Sequence, residues 1–382
     1  MIAGAEQRLD FLEFYGASEP GGRLEPVIDA IRDAAARGVR VRFVFDAGFR
    51  ERQPEVPARL AEIPGVEVRS LDLRAITGGA QHAKLFVVDD REAFVGSQNF
   101  DWRSLEHIDE LGVRLREASL VRGARAVFEL DWAMAGGASF PEASAGLAAR
   151  GLTIDAEPSD TRFRGAAVRA RLVASPRDLL PTTAAWEWPA LRAGIEGARE
   201  RVRLQVMSYQ VRGRGEDRWE ELDGALRAAA SRGVRVELLV SAWDTRPGRI
   251  EALQSLARVP GLEVRIATIP EARRGFIPYA RTVHAKFATF DRRLGWVGTS
   301  NAGGDYFLRS RNVGVIVEGA AFAAALDAHF ERLWSSDHAR PVDPDAVGIC
   351  PSSGAVVRAG VDTAGRDEGD LRDGLFHAAQ HR

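Results

Sequence analysis

A single cysteine, Cys350, stands in the 382 residues, which excludes an intramolecular disulfide. No apolar run is long enough to span a bilayer. Charge of neither sign prevails: 52 Lys and Arg against 54 Asp and Glu leave a net −2, with an isoelectric point near 6.4. Bulk electrostatics therefore give no case for a nucleic-acid binder, and only a local basic groove would supply one. What the chain does have is 45% hydrophobic residues over a length that can fill two cores.

Those two cores are announced by a repeat. The stretch HAKLFVVDDREAFVGSQN runs from His82 to Asn99, and HAKFATFDRRLGWVGTSN runs from His284 to Asn301. They match position for position at His82 and His284, Lys84 and Lys286, Asp89 and Asp291, Gly96 and Gly298, and Asn99 and Asn301. Each pair is 202 residues apart (284 − 82). One copy alone reads as the solvated face of a strand, because His82 and Lys84 at alternate positions share a side. Two copies in fixed register read as a duplicated domain whose halves both serve one site.

The duplication extends beyond the motif. AAARGVRVRFVF at 34–45 is answered by AAASRGVRVELLV at 228–240, and PGVEVR from Pro64 by PGLEVR from Pro260. Each half reads as strand, helix, strand, helix, strand and then the motif hairpin. In LEPVIDAIRDAAARG, for example, Leu24, Val27, Ile28 and Ile31 fall on one helical face before Gly38 stops it. Such alternation predicts an α/β fold, with a mixed sheet covered by helices on both faces in each half. The expected organisation is a first domain over 1–135, a linker over 136–165 that is rich in small residues and Gly/Pro, a second domain over 166–340, and a disordered tail over 341–382.

The halves open differently. ARLVASPRDLLPTTAAWEWPALRAG precedes the second half and supplies a strand and most of a helix, whereas Ile2, the counterpart of Ile195, stands almost at the start of the first. The expectation is that the natural chain begins upstream; a secretion signal there would make the protein secreted or periplasmic. The face around LDFLEFY would then be partly uncovered here.

Two histidines, two lysines and two asparagines from the two halves make a cationic, donor-rich pocket suited to a phosphodiester. One neutral imidazole can attack phosphorus and form a phosphohistidine, while the other, protonated, gives its proton to the departing alkoxide. Lys84, Lys286, Asn99 and Asn301 would hold the oxygens on which charge accumulates. The pattern has no cysteine or carboxylate partners of zinc-ligand type beside the histidines, so neither a metal nor any other cofactor is implied.

His-x-Lys, four residues, Asp, six residues, then Gly-Ser/Thr-x-Asn resembles the signature of the phospholipase D superfamily, and both copies carry it in full. The flanks GSQNFDWRSLEHIDELGV, IPYARTVHAKF and GTSNAGGDYF look most like the branch of the lysosomal phospholipase D-like 5′ exonucleases and the poxvirus envelope phospholipases. The resemblance spans about residues 1–336. It implies two tandem α-β-α sandwich domains related by a pseudo-twofold axis around one active site, and a structural role for Asp89 and Asp291.

It also implies a carboxylate behind a catalytic histidine, at Glu110 in the first half; the second half has Asn312 in its place. On that reading Glu110 supports His82 as nucleophile and leaves His284, without an anionic partner, as general acid.

For substrate, phospholipid stands first and single-stranded DNA or RNA, cut from its 5′ end, second. Arg273, Arg274, Arg281, Arg309 and Arg311 near the second motif suit either backbone, and Trp102, Phe276, Tyr279, Tyr306 and Phe307 suit stacking or an acyl cleft. A lipid substrate would bring peripheral membrane contact; no protein partner is indicated. The remaining alternative, a non-catalytic binding module, would be expected to have lost a histidine or lysine from one half, and neither half has.

Overall fold

The computed structural model describes residues 1–211 and 218–346. Its first sheet is built from β1 (Arg8–Glu13), β2 (Arg40–Asp46), β3 (Val66–Leu71), β4 (Leu85–Val88), β5 (Glu92–Gly96) and β6 (Gly112–Leu115), in the spatial order β3-β2-β1-β4-β5-β6. β1, β2 and β3 are parallel; β4, β5 and β6 run antiparallel to their neighbours.

The second sheet holds β7 (Ser159–Phe163), β8 (Ala166–Ser175), β9 (Arg201–Val206), β10 (Arg235–Ser241), β11 (Leu262–Ala267), β12 (Phe287–Phe290), β13 (Leu294–Gly298), β14 (Asn312–Glu318) and β15 (Ala339–Pro341). Its order is β15-β11-β10-β9-β12-β13-β14-β8-β7, so the six strands from β11 to β14 repeat the first sheet. The strand RLVAS lies within β8 and pairs antiparallel with β14.

The longer helices are α1 (Glu25–Ala36), α2 (Ala118–Ala135), α3 (Phe140–Ala149), α4 (Glu187–Gly197), α5 (Glu221–Ser231), α6 (Ile250–Ala257) and α7 (Ala320–Trp334). α1 and α5 are the repeated helices. α1 buries Ile28, Ile31, Ala34 and Ala35, and α5 buries Leu222, Leu226, Ala229 and Ala230. Both stop the same way: Gly38 and Gly233 take φ of 90° and 86°, a left-handed conformation that a Cβ would strain.

Apolar side chains form one central cluster drawn from both halves, with α2 and α7 between the sheets, and one outer cluster in each half. The central cluster joins Leu85 and Phe128 to Phe287 and Phe330.

Two expectations change. Residues 136–165 are not a bare linker. α3 opens with a Ser139–Glu142 capping box and buries Ala143 and Leu147, while β7 extends the second sheet along β8. Small residues that look like linker in sequence here let α3 pack closely on α2. The LDFLEFY face is not uncovered either, because Leu9, Phe11, Leu12, Phe14 and Tyr15 are all buried. β1 is an interior strand between β2 and β4, and its two faces meet the central and outer clusters. The tail expected to be disordered lies, from residue 347 on, outside the described residues; before it, β15 pairs with β11 and Val342 is buried.

The motif aspartates hold the strands that carry the fold. Asp89 and Asp90 turn the β4–β5 hairpin with φ of 50° and 56°, as Asp291 and Arg292 turn β12–β13 with 50° and 55°. The Asp89 carboxylate accepts from the backbone N–H groups of Glu6, Gln7 and Arg8 at 2.8, 2.7 and 2.9 Å. Asp291 accepts from Arg199, Glu200 and Arg201 at 2.8, 2.8 and 2.9 Å. Burial alone would raise either carboxyl, but three backbone donors each hold them below the ordinary value.

A carboxyl depressed in the folded state contributes stability above its unfolded pKa, and that contribution is lost as pH falls through the folded value. Asp89→Ala is therefore expected to destabilise the protein by about 1.5–3 kcal/mol at pH 7. In thermal unfolding the difference from wild type should shrink below about pH 4; a difference that persists undiminished at pH 3 would refute the capping role.

Candidate active site

His82 and Lys84 lie in the extended lead-in to β4 rather than in the strand itself, and His284 and Lys286 stand likewise before β12. Each lead-in pairs with the other half at its histidine. His82 N–H donates to the Arg311 carbonyl at 2.9 Å, and His284 N–H to the Asp109 carbonyl at 2.9 Å. The hairpins return the chain as expected: Gly96 N–H donates to the Lys84 carbonyl at 3.2 Å and Gly298 N–H to that of Lys286 at 3.0 Å. All six motif side chains, His82, Lys84, Asn99, His284, Lys286 and Asn301, are buried.

The residue after each docking carbonyl orients the imidazole. His82 Nδ1 lies 2.9 Å from Asn312 Oδ1. The Asn312 amide nitrogen donates to the Tyr306 carbonyl at 2.8 Å, so its oxygen faces the ring and His82 Nδ1 must carry the proton. His284 Nδ1 lies 3.0 Å from both Glu110 oxygens.

This reverses the pairing expected from sequence. Glu110 serves His284, not His82, and Asn312 serves His82. The two halves exchange their orienting residues because the chain just ahead of Glu110 and of Asn312 bridges to the other half's histidine lead-in, Asp109 beside Val283 and Arg311 beside Gln81. Linear proximity of Glu110 to Asn99 gave the wrong partner.

The Ser/Thr of each motif, to which sequence reasoning gave no role, fixes the exchanged residue. Ser97 Oγ donates to Glu110 in a short hydrogen bond, and Thr299 Oγ1 donates to Asn312 Oδ1 at 2.8 Å. Each hydroxyl also accepts a backbone N–H at 3.0 Å, from Leu111 and from Val313. A hydroxyl in both copies, two positions before the motif asparagine, was the available signal.

Electrostatics separate the two histidines. Burial depresses the His284 pKa; Glu110 opposes this, and Lys286 and Lys84 add to it. Since Lys84 comes from the first half, the motifs share one electrostatic neighbourhood. Burial would raise the Glu110 carboxyl, yet His284 foremost and Lys286 after it keep it below its ordinary value. The carboxylate is favoured in its ionised form, beside an imidazole whose protonated form burial disfavours.

The ammonium groups of Lys84 and Lys286 donate to the carbonyls of His82 and His284, each at 2.6 Å. Burial pushes Lys286 down to about 7, with Glu110 opposing. An incoming phosphate anion would favour its charged form. Asn301 Oδ1 accepts from Met207 N–H at 3.2 Å, and its buried Nδ2 lacks a protein acceptor, leaving a donor for an oxyanion.

Further support was hidden from the sequence. Phe14 and Tyr306 pack edge-on against the His82 ring with centroids 4.8 and 5.2 Å away. Glu187, at the start of α4, accepts from Ser300 at 2.6 Å, Trp296 at 3.1 Å and Ser175 at 3.2 Å behind the second motif. Burial raises its carboxyl to about 7.

Of the arginines expected to meet substrate, Arg311 is fully buried and grips Asp131 of α2 at 2.8–3.0 Å; it ties the halves together and is not a substrate contact. Arg274 pairs with Glu19, and Arg281 donates to the Pro270 carbonyl. Phe307 is core, packed with Trp188 and Trp219. Among the described residues no group of three or more His, Cys, Asp or Glu is placed to hold a metal.

Comparison with known proteins agrees with this geometry. The family model described as "Cardiolipin synthase, PLD-like domain" matches residues 1–132 and again 191–334. Phospholipase D Z of Dictyostelium discoideum is 30% identical over 365 residues, covering 90% of this chain and 85% of that protein. The 5′-3′ exonuclease PLD3 of Bos taurus is 30% identical over 388 residues, covering 91% of this chain and 76% of that one. Among solved structures, phosphatidylserine synthase of Haemophilus influenzae superposes with a TM-score of 0.60 at 13% identity, over 89% of this chain and 83% of that one. With two complete motifs, two matched halves and histidines oriented across the junction between them, the chain belongs to the phospholipase D superfamily and is a hydrolase of phosphodiester bonds.

Proposed function

We propose that the protein hydrolyses phospholipids, with His284 as nucleophile and His82 as general acid. The role assignment rests on the His284–Glu110 pair. His284 Nε2 attacks phosphorus and the P–O bond to the leaving group breaks. The departing alkoxide takes the proton from His82 Nε2, leaving a phosphohistidine on His284. Water then gives its proton to His82 and its oxygen to phosphorus, and the P–N bond breaks to restore His284. Glu110 accepts a hydrogen bond from the His284 Nδ1–H throughout and stabilises the positive charge that forms on the ring. The lysine ammoniums and the free Asn301 amide face the phosphoryl oxygens.

The single observation that favours lipid is exposed apolar surface on segments beside the motifs. The four large hydrophobic side chains that stay exposed among the described residues are Ile76, Leu105, Phe276 and Leu308. They lie on segments that flank the two motifs in pseudo-twofold fashion. Ile76 belongs to the short helix Leu73–Thr77, whose Thr77 hydroxyl bonds the carbonyl of Arg309 beside Leu308. Leu105 belongs to the helix Trp102–Glu106, whose Arg103 bonds the Pro278 carbonyl near Phe276. Exposed apolar groups on segments next to the cationic motif residues suit a substrate that carries acyl chains beside a phosphodiester. Single-stranded nucleic acid is the second reading, supported by the exonuclease among the relatives of equal identity.

Three outcomes are expected. With a slow substrate bearing a good leaving group, peptide mapping should find the phosphoryl adduct on His284. His82→Ala should retain that adduct, and an adduct formed in His284→Ala would reverse the roles. Glu110→Gln should lower kcat/KM about 10- to 100-fold. Because Glu110 raises the His284 pKa, its acid limb should also move to lower pH; an unmoved limb would deny the pairing a part in catalysis. Headgroup release from mixed phospholipid vesicles, measured beside digestion of end-labelled single-stranded oligonucleotides, should favour vesicles and survive EDTA. Oligonucleotide digestion alone would give the second reading, and loss of activity with EDTA would overturn a mechanism built on side-chain cations.

A further inference from the structure

The far end of the first sheet carries a second cationic site. A cavity of about 600 Å³ opens where β1 and β2 begin, and its walls include Arg8, Arg40, Arg42, Arg125 and Arg150. Arg8 and Arg40 are register partners at the first position of their strands, whereas the catalytic lead-in meets β1 at its last residues. Five residue steps along a strand place the two sites about 17 Å apart.

Three carboxylates neutralise part of this charge. Asp10 and Glu129 take Arg42 at 2.7 and 2.8 Å, Glu129 also takes Arg150 at 2.9 Å, and Asp90 takes Arg8 and Arg125. Five guanidiniums against three carboxylates leave an excess of two positive charges. Arg40 is exposed and has no side-chain partner among the described residues. Burial foremost holds Arg8 below its ordinary value, and the Arg125 charge beside it adds to this.

The duplicate supplies an internal comparison. In the second half the counterparts of Arg42 and Arg125 are Glu237 and Asp327. There Arg201 meets Asp327 at 2.6 Å, and Arg203 meets Glu237 at 2.6 Å and Glu331 at 2.5 Å. Arg235 stands at the place of Arg40 and Arg292 at the place of Asp90, so four arginines meet three carboxylates there, an excess of one. The same fold position carries one excess positive charge in the second half and two in the first, where the cavity lies.

We propose that this cavity binds a multivalent phosphate-type anion, held by the forked donors of Arg40 and Arg150 at its mouth and by the charge excess behind them. It is an ancillary site, independent of the catalytic one and of the identity of the hydrolysed substrate.

Pyrophosphate is the probe, titrated calorimetrically into the full chain at constant ionic strength. Two classes of site are expected in the wild type, one catalytic and one here. The double variant Arg40→Ala/Arg150→Ala should weaken one class at least tenfold. Arg125→Asp, which copies the charge of the second half, should abolish that class. In both, hydrolysis of bis(p-nitrophenyl) phosphate should be unchanged, which also reports an intact fold. Titration curves identical to wild type in either variant, or a single class of site in the wild type, would overturn the proposal.

Discussion

Everything at the site depends on an exchange of hydrogen bonds across the junction of the two halves. Each half contributes a histidine, and the other half contributes the carbonyl that docks its backbone and the side chain that holds its Nδ1. Neither imidazole is oriented within its own half. A buried ring without its Nδ1 partner would lose one to three kcal/mol and its fixed tautomer, so separating the halves disarms both histidines together. The central apolar cluster and the buried Arg311–Asp131 pair keep the junction closed. Arg311 adds bonds to the Ser175 and Leu179 carbonyls, and its own backbone pairs with Ala80 and His82. Removing one member of so buried a pair leaves a charge uncompensated, at a cost of about 3–5 kcal/mol.

The duplication is close to symmetric in backbone and unsymmetric in charge, and the asymmetry is what assigns chemistry. Glu110 opposite His284 and Asn312 opposite His82 give one imidazole an anionic neighbour and the other a neutral amide. The docking carbonyls differ too. Arg311 is anchored by Asp131, while Asp109 is held by Gln205 at 2.8 Å and His329 at 3.1 Å. Even the sheet ends distant from the motifs diverge, with an arginine excess of one in the second half and two in the first. A duplicated scaffold keeps its packing rules while single substitutions at equivalent positions give the copies different electrostatic tasks.

Much of this was legible in the residues. Fixed-register repetition of His, Lys, Asp, Gly and Asn identified the two halves, and period-2 and period-3.6 patterns gave strands and helices. The structural role of Asp89 and Asp291 was readable through the family resemblance, and the structure adds that their carboxylates cap the starts of β1 and β9. The partner of each histidine was not legible, because it depends on how β6 and β14 lie against the opposite half, a long-range relation with no local periodicity. Ser97 and Thr299 were overlooked for the same reason: a hydroxyl's value lies in what it touches. The segment 136–165 misled because Gly, Ala and Ser signal both loops and close helix packing; only the Ser139–Glu142 box pointed to α3.

The exchange itself is measured most directly by proton–nitrogen NMR of the histidine rings, in wild type, Glu110→Gln and Asn312→Ala. The account predicts two Nδ1-protonated rings, with Glu110→Gln moving only the His284 resonance and Asn312→Ala only that of His82. A His82 resonance that moves on Glu110→Gln, with His284 unchanged, would contradict it.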